Sequence, residues 1–271
     1  DFRQPAASQN KGEEWAQGFL LRYESGYTEG PVGVGVDALG LLGIKLDSSP
    51  DRAGVTGLLP RGAESRRAPD DNSELGLTAK LRVSKSTLKA GTLIPKLPVL
   101  QPNDTRLLPQ TFQGGWLNST DLAGLTFDAG RLTQVSQRDS TNREDMTVMK
   151  GPRRNIVTGA RATTDQFDFL GGNYMWSKTL STGYHYAQLD DLYKQHYLTV
   201  MHVLPIAEGQ ALKSDLRWAR STDDGSSNVD NQMLGAMFTY SLGAHAFGLS
   251  YQKMSGDTGF ANVQGTDPYL V

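Results

Sequence analysis

The residues LTAKLRVS at 77–84 alternate apolar with polar, and segments along most of the chain do the same. Period two is the repeat of a β-strand whose two faces meet different surroundings. In WAQGFLLRYES (15–25), Trp15, Phe19, Leu21 and Tyr23 share one face, while Ala16, Gly18, Leu20, Arg22 and Glu24 share the other. In 32–44, Val32, Val34, Val36, Ala38, Leu42 and Ile44 oppose Gly33, Gly35, Asp37 and Leu39. In 75–84, Leu75, Leu77, Ala79, Leu81 and Val83 oppose Gly76, Thr78, Lys80, Arg82 and Ser84. Further runs at 167–176, 212–219, 234–242 and 246–254 bring the expectation to about twelve strands, many longer than the ~5–6 residues usual in globular proteins. Glycine supplies 30 of 271 residues, often inside apolar runs such as VGVGVDALGLLGI. Each would cost a helix ~1 kcal/mol relative to Ala, which argues against long helices.

The connections are of two kinds. Short turns are expected at 26–31, 84–87, 119–123, 177–179 and 243–245. Long polar loops are expected at 47–73, 95–110, 133–165, 221–231 and from 255 onward. Short at one end and long at the other describes an up-and-down meander with unlike ends, the pattern of transmembrane β-barrels. In that setting Lys80 and Arg82 have one tolerable direction. On a lipid-facing side each would cost ~2–4 kcal/mol near the midplane; on a water-filled lumen wall they stay hydrated. Alternation therefore aims Arg22, Lys80 and Arg82 inward. Lys89, opposed to Leu88 and Ala90, and Arg217, opposed to Leu216 and Trp218, follow them.

Composition removes several alternatives. The net charge is −2 and no nucleic-acid motif is present, so nucleic acid is not an expected partner. With no cysteine, disulfide frameworks and cysteine-ligated metals are excluded, and neither a cofactor nor a metal is expected. No apolar run reaches the ~20 residues of a membrane helix. The start, DFRQPAASQN, lacks Met and any signal peptide, as expected of a mature or trimmed product. GVGVDALG fails the spacing of a nucleotide-binding fingerprint. A barrel enzyme would need a nucleophile beside a histidine base, and none of the four histidines sits in such a pairing. A soluble β-sandwich is the rival fold; it requires the oily faces to pack on one another.

Several stretches carry a family likeness: residues 15–47, AKLRVSKSTLKAGTLIP (79–95), RLLPQT (106–111), DFLGGNYM (168–175), LDDLYKQHYL (189–198) and SYQKMSGD (250–257). The chain resembles the OprD-type channels of bacterial outer membranes, the outer-membrane carboxylate channels. The resemblance implies an all-β, antiparallel, up-and-down transmembrane barrel of eighteen strands, of which about twelve are represented in 1–271. The first strand and the last five are then missing, so the sequence is expected to be a portion of a longer protein. It implies a constriction loop at about 95–110 and a second pore loop at about 255–271.

The same resemblance implies passive uptake of small carboxylates along a ladder of lumen cations. Arg106 matches the eyelet arginine. Arg131 matches a ladder position, although its strand sets it with Leu125, Phe127 and Ala129 unless a bulge intervenes. Asp267, with Asp37 or Asp128, would supply an acidic side, and His185 a pore-facing aromatic. The plainer readings are that Arg22, Lys80 and Arg82 neutralise Glu24 and Asp37, that Arg106 braces its loop, and that Asp267 only turns the chain before Pro268. Tyr23, Tyr27, Trp116, Trp176, Trp218 and Tyr251 are read as membrane-interface aromatics. The expected solutes are monocarboxylic acids, aromatic or aliphatic, because Arg22 adds positive charge; the alternative is basic amino acids. Outer-membrane lipid or lipopolysaccharide would surround a monomer or loose oligomer.

Overall fold

A computed structural model describes residues 12–54, 56–60, 67–151 and 153–270. The first eleven residues and the end of the expected 255–271 loop lie outside them. The strands are β1 (Trp15–Glu24), β2 (Val32–Asp47), β3 (Asp71–Val83), β4 (Ser86–Leu93), β5 (Thr111–Ser119) and β6 (Leu125–Ser136), followed by the two-residue β7 (Arg143–Glu144). Then come β8 (Phe167–Met175), β9 (Leu180–Leu189), β10 (Tyr193–Ala207), β11 (Gln210–Asp223), β12 (Asp230–Leu242) and β13 (His245–Ser255). They form one sheet in which each long strand pairs antiparallel with its neighbour in sequence, β6 pairing with β8 and β7 hanging on β6. Among the described residues, β1 pairs only with β2 and β13 only with β12.

The ends differ as alternation of loop length requires, with two exceptions. One end carries tight connections, including two-residue turns at 84–85, 208–209 and 243–244. Each uses a left-handed residue: Ser84 at φ 54°, Gly209 at 69° and Gly243 at 57°. Such residues match the twist of the paired strands. The other end carries, over their described residues, the segments 48–70, 94–110, 137–166 and 256–270. It also carries the short connection 190–192, and 224–229 is shorter than the 221–231 expected, because β11 and β12 pair up to Thr222–Asp230.

The oily faces do not pack on one another. Val32, Val34 and Val36 are 49%, 50% and 51% exposed, and Leu75 and Leu77 are 71% and 58% exposed. Lys80 lies on the opposite face at 8%. One sheet with an exposed apolar side and charged residues on the other is the barrel arrangement, and it removes the sandwich.

A buried apolar cluster lies on the inner side. Phe112, Leu132, Phe167, Phe169, Leu189, Tyr193 and Tyr197 come from the wall. Leu97, Val99 and Leu100 come from 94–110, Met146, Val148 and Ile156 from 137–166, and Phe260, Ala261 and Val263 from 256–270. Each large side chain removed from water contributes ~1.5–3 kcal/mol, so these three loops are held inward. Backbone bridges Val148–Val263 and Gln101–Asp267 join loop to loop. Arg154 spans loop and tail through Phe260 O at 2.5 Å and Asn262 Oδ1 at 2.8 Å. Its partners are neutral, and burial pushes its guanidinium pKa down.

Candidate functional site

The inner wall of β1–β5 collects the sequence-expected cations. The pairing register runs Gly35–Lys80–Lys89–Trp116 across β2 to β5. Arg82 lies one step along, between Gly33 and Thr87. The connection 25–31 folds back over this wall as a strap. Ser25 Oγ accepts from Val36 N at 2.8 Å, and Thr28 Oγ1 accepts from Val34 N at 3.0 Å. Close approach requires glycine beneath it: a Cβ on Gly35 would stand 2.5 Å from Gly26 O, and one on Gly33 would stand 2.9 Å from Tyr27 Cβ.

The cations differ in how far they are compensated. Lys80 donates to Asp37 and, at 2.6 Å, to Ser25 O, so it neutralises a lumen carboxylate, as the plainer reading holds. It also lies 4.9 Å from the Tyr27 ring centroid, and Arg82 stacks over the same ring at 4.4 Å. Arg22 and Lys89 have no hydrogen-bond or ion-pair partner among the described residues. Both line a cavity of about 170 Å³ with Glu24, Asp37, Thr78 and Trp116.

The acids are mostly committed. Asp128, 5% exposed, accepts from Trp116 Nε1 at 2.9 Å and Asn118 Nδ2 at 2.8 Å. Asp267 accepts from Asn103 Nδ2 at 3.0 Å, which ties the tail to the 94–110 loop. The two loops read from the sequence as separate pore elements are therefore one body.

Arg106 is exposed at the tip of 94–110. Its Nε donates to Thr56 O at 3.1 Å and its Nη1 to Thr105 O at 2.9 Å. These bonds brace the loop, and the remaining donors face a cavity lined by Glu13, Glu14 and Asp47. It is separate from the cavity that holds Arg22 and Lys89. Arg217 lies on the inner face, forked onto Asp215 at 2.9 and 2.8 Å and covered by the Tyr269 ring at 4.1 Å. Its charge is spent on the wall and the tail. His185 also points inward but is only 2% exposed, and neither ring nitrogen has a hydrogen-bond partner. It does not face open water.

Arg131 is corrected. It stands on the outer side, in register with Asp168, which it grips at 2.6 and 2.8 Å. A bulge does occur in β6: Gln113 pairs with Gln134 and Gly114 with Leu132, leaving Thr133 extra. It lies beyond Arg131 and so cannot turn that side chain inward. Two aromatics are corrected as well. Tyr27 lies in the strap, and Trp116 aims its indole at Asp128 on the inner side, whereas Tyr23, Trp176 and Tyr251 are exposed on the outside as expected. Glu74 was missed; it accepts from Thr111 Oγ1 at 2.9 and 2.8 Å. The signal was available, since Glu74 continues the inward parity of Gly76, but β3 starts at Asp71 rather than at Leu75.

The outer membrane porins of the OprD family match residues 1–271. The chain belongs to that family. It is 39% identical over 263 residues to the porin-like protein GalP of Pseudomonas putida, covering 96% of this chain and 62% of that protein. It is 38% identical over 250 residues to porin D of Pseudomonas aeruginosa, covering 91% and 54% respectively. The chain thus spans about half to two thirds of the length of these relatives. Among solved structures it resembles P. aeruginosa OpdQ (65% identity, TM-score 0.87, 100% of this chain and 67% of that one). It also resembles P. aeruginosa OpdK, solved with vanillate (37% identity, TM-score 0.82, 93% and 64%). The sheet is therefore wall of a bacterial outer-membrane β-barrel. Its relatives are porins, not enzymes.

Proposed function

We propose that this chain forms the wall and constriction of a passive channel selecting small monocarboxylates. One observation carries the reading: Arg22 and Lys89 face a lumen cavity without a carboxylate partner, while Asp37, Asp128 and Asp267 are each held by donors. Glu24 is the uncommitted acid beside them. A wall that keeps two cations free while its acids are mostly occupied attracts a plain anion and gives little to a cationic side chain, which disfavours basic amino acids. Loops 94–110 and 256–270, joined at Gln101–Asp267, narrow the passage. Narrowing and fixed charge together are what a selective pore needs, provided binding is weak enough for release. OpdK, solved with vanillate, is a relative whose ligand is an aromatic carboxylate.

Recording in planar bilayers tests the reading. Anion-selective reversal potentials, and uptake competed more strongly by benzoate than by arginine, are expected. Stronger competition by arginine would reverse the choice of solute. For Arg106→Ala we expect altered conductance and weaker anion selection with the barrel folded; unchanged transport of every carboxylate would confine Arg106 to bracing the loop.

A further inference from the structure

Beside the Arg22 cavity lies a second one of about 360 Å³, lined by Tyr27, Thr87, Lys89, Trp116 and Asn118. That volume is at the lower end of small-ligand pockets, about 300–1,000 Å³. Its two aromatic walls are fixed by independent contacts. Trp116 has spent its N–H on Asp128, so the indole is oriented and only its ring surface remains for a ligand. Tyr27 is carried by the strap 25–31, whose hydroxyls are bonded to β2, and its ring lies against Lys80 and Arg82. Between them stands Lys89, the cross-strand partner of both Lys80 and Trp116, with no ionic or hydrogen-bond partner among the described residues. Asn118 donates its Nδ2 to Asp128 and makes no hydrogen bond to Lys89. Lys89 is three residues from the Ser86 end of β4, next to the tight turns and away from the loop-filled end.

We propose that Tyr27, Lys89 and Trp116 form a binding site for planar ring-bearing monocarboxylates, met after the solute has passed the loops. This rests on the anion-channel reading above and adds a discrimination by ring planarity that the cations alone cannot make. The carboxylate takes the free ammonium of Lys89. The ring lies along the surfaces of Trp116 and Tyr27, where a flat π-system gains more than a puckered ring of similar size. The ammonium is a point charge on a flexible stem, so it holds the anion without a bidentate lock and allows exit.

The test compares benzoate with cyclohexanecarboxylate, equal in charge and close in size, as the ratio of their uptake at equal low concentration in proteoliposomes. The wild type should favour benzoate by roughly three- to tenfold, the scale of a good aromatic contact. Trp116→Leu and Tyr27→Leu should each bring the ratio toward one, with heat-modifiable gel migration reporting a folded barrel. Trp116→Phe, which keeps a ring but loses the bond to Asp128, should retain most of the preference; if it behaves like Trp116→Leu, the indole bond matters rather than the ring, and the site is overturned. Lys89→Met should lower uptake of both acids and leave the ratio standing. A wild-type ratio of one, or a ratio unmoved by both Leu variants, overturns the site while leaving the anion channel intact. Failure of the wild type to pass either acid overturns the channel reading itself.

Discussion

The wall of β1–β4 and the wall of β5–β12 share an apolar outer face but meet different things inside. On the first, Arg22 and Lys89 look into open cavities, Arg82 stacks on the Tyr27 ring, and Lys80 and Lys45 are paired with Asp37 and Asp70. On the second, Phe112, Leu132, Phe167, Phe169 and Tyr193 are sealed under 94–110, 137–166 and 256–270. The difference teaches that strand periodicity reports the outer surroundings, while the inner surroundings depend on what the loops do. A lumen wall is wet where no loop covers it and behaves as an ordinary protein core where one does.

The comparison is easiest to break on the covered side. Phe260 is 6% exposed within the loop-built core. Phe260→Ala should cost the docked tail about 3–5 kcal/mol, read as larger, noisier single-channel conductance and faster proteolysis of 256–270. Unchanged conductance would mean that the tail does not narrow the pore.

The outer face should respond next. Leu77→Arg places a cation where a side chain is 58% exposed to hydrocarbon. It should destabilise the barrel in vesicles by about 2–4 kcal/mol, measured by urea unfolding. Arg82→Leu, on the inner side of the same strand, should cost under ~1 kcal/mol, since it breaks no ion pair. Equal costs would erase the distinction between the faces.

Smaller effects sharpen the charged side. Arg22→Gln and Lys89→Gln should each reduce the anion-to-cation permeability ratio roughly two- to fivefold, the scale of one hydrated charge pair. Lys80→Gln should instead expose Asp37 and push the ratio further toward cations than either. The smallest effect belongs to Asp121, in the turn between β5 and β6. Hydrogen bonds from Ser84, Ser86 and the Lys85 backbone depress its carboxyl pKa to about 2. Because the folded value is the lower one, its contribution is present above the ordinary carboxylate range and is lost as pH falls through about 2. Exchange of the Lys85 amide should rise over that interval, and Asp121→Asn should abolish the dependence.

Much of this was legible beforehand, for a physical reason. The outward valines of β2 and leucines of β3 are forced by hydrocarbon, and they force Lys80 and Arg82 inward. The same alternation placed Arg131 with Leu125 and Phe127; the ladder role taken from resemblance could not override it. What alternation could not show was loop packing. Phe167 and Phe169 point inward, yet nothing local separates a lumen-facing phenylalanine from a lipid-facing one, because the loops that bury them come from distant sequence. Trp116 and Tyr27 were misplaced likewise: an aromatic near a strand end suits the membrane interface, and only contact with Asp128 or Lys80 reveals the inner side. The glycines at 33 and 35 were read as arguing against helices; their further reason, room for the strap, needed the fold.

The chain has no cysteine, so single cysteines give a direct test of which side is which. The measurement is channel current through proteins carrying Arg82→Cys, Lys89→Cys, Leu77→Cys or Leu81→Cys, before and after a charged, water-soluble thiol reagent. The account predicts a change of current at positions 82 and 89 and none at 77 and 81. Modification of current at 77 and 81, with silence at 82 and 89, would contradict it.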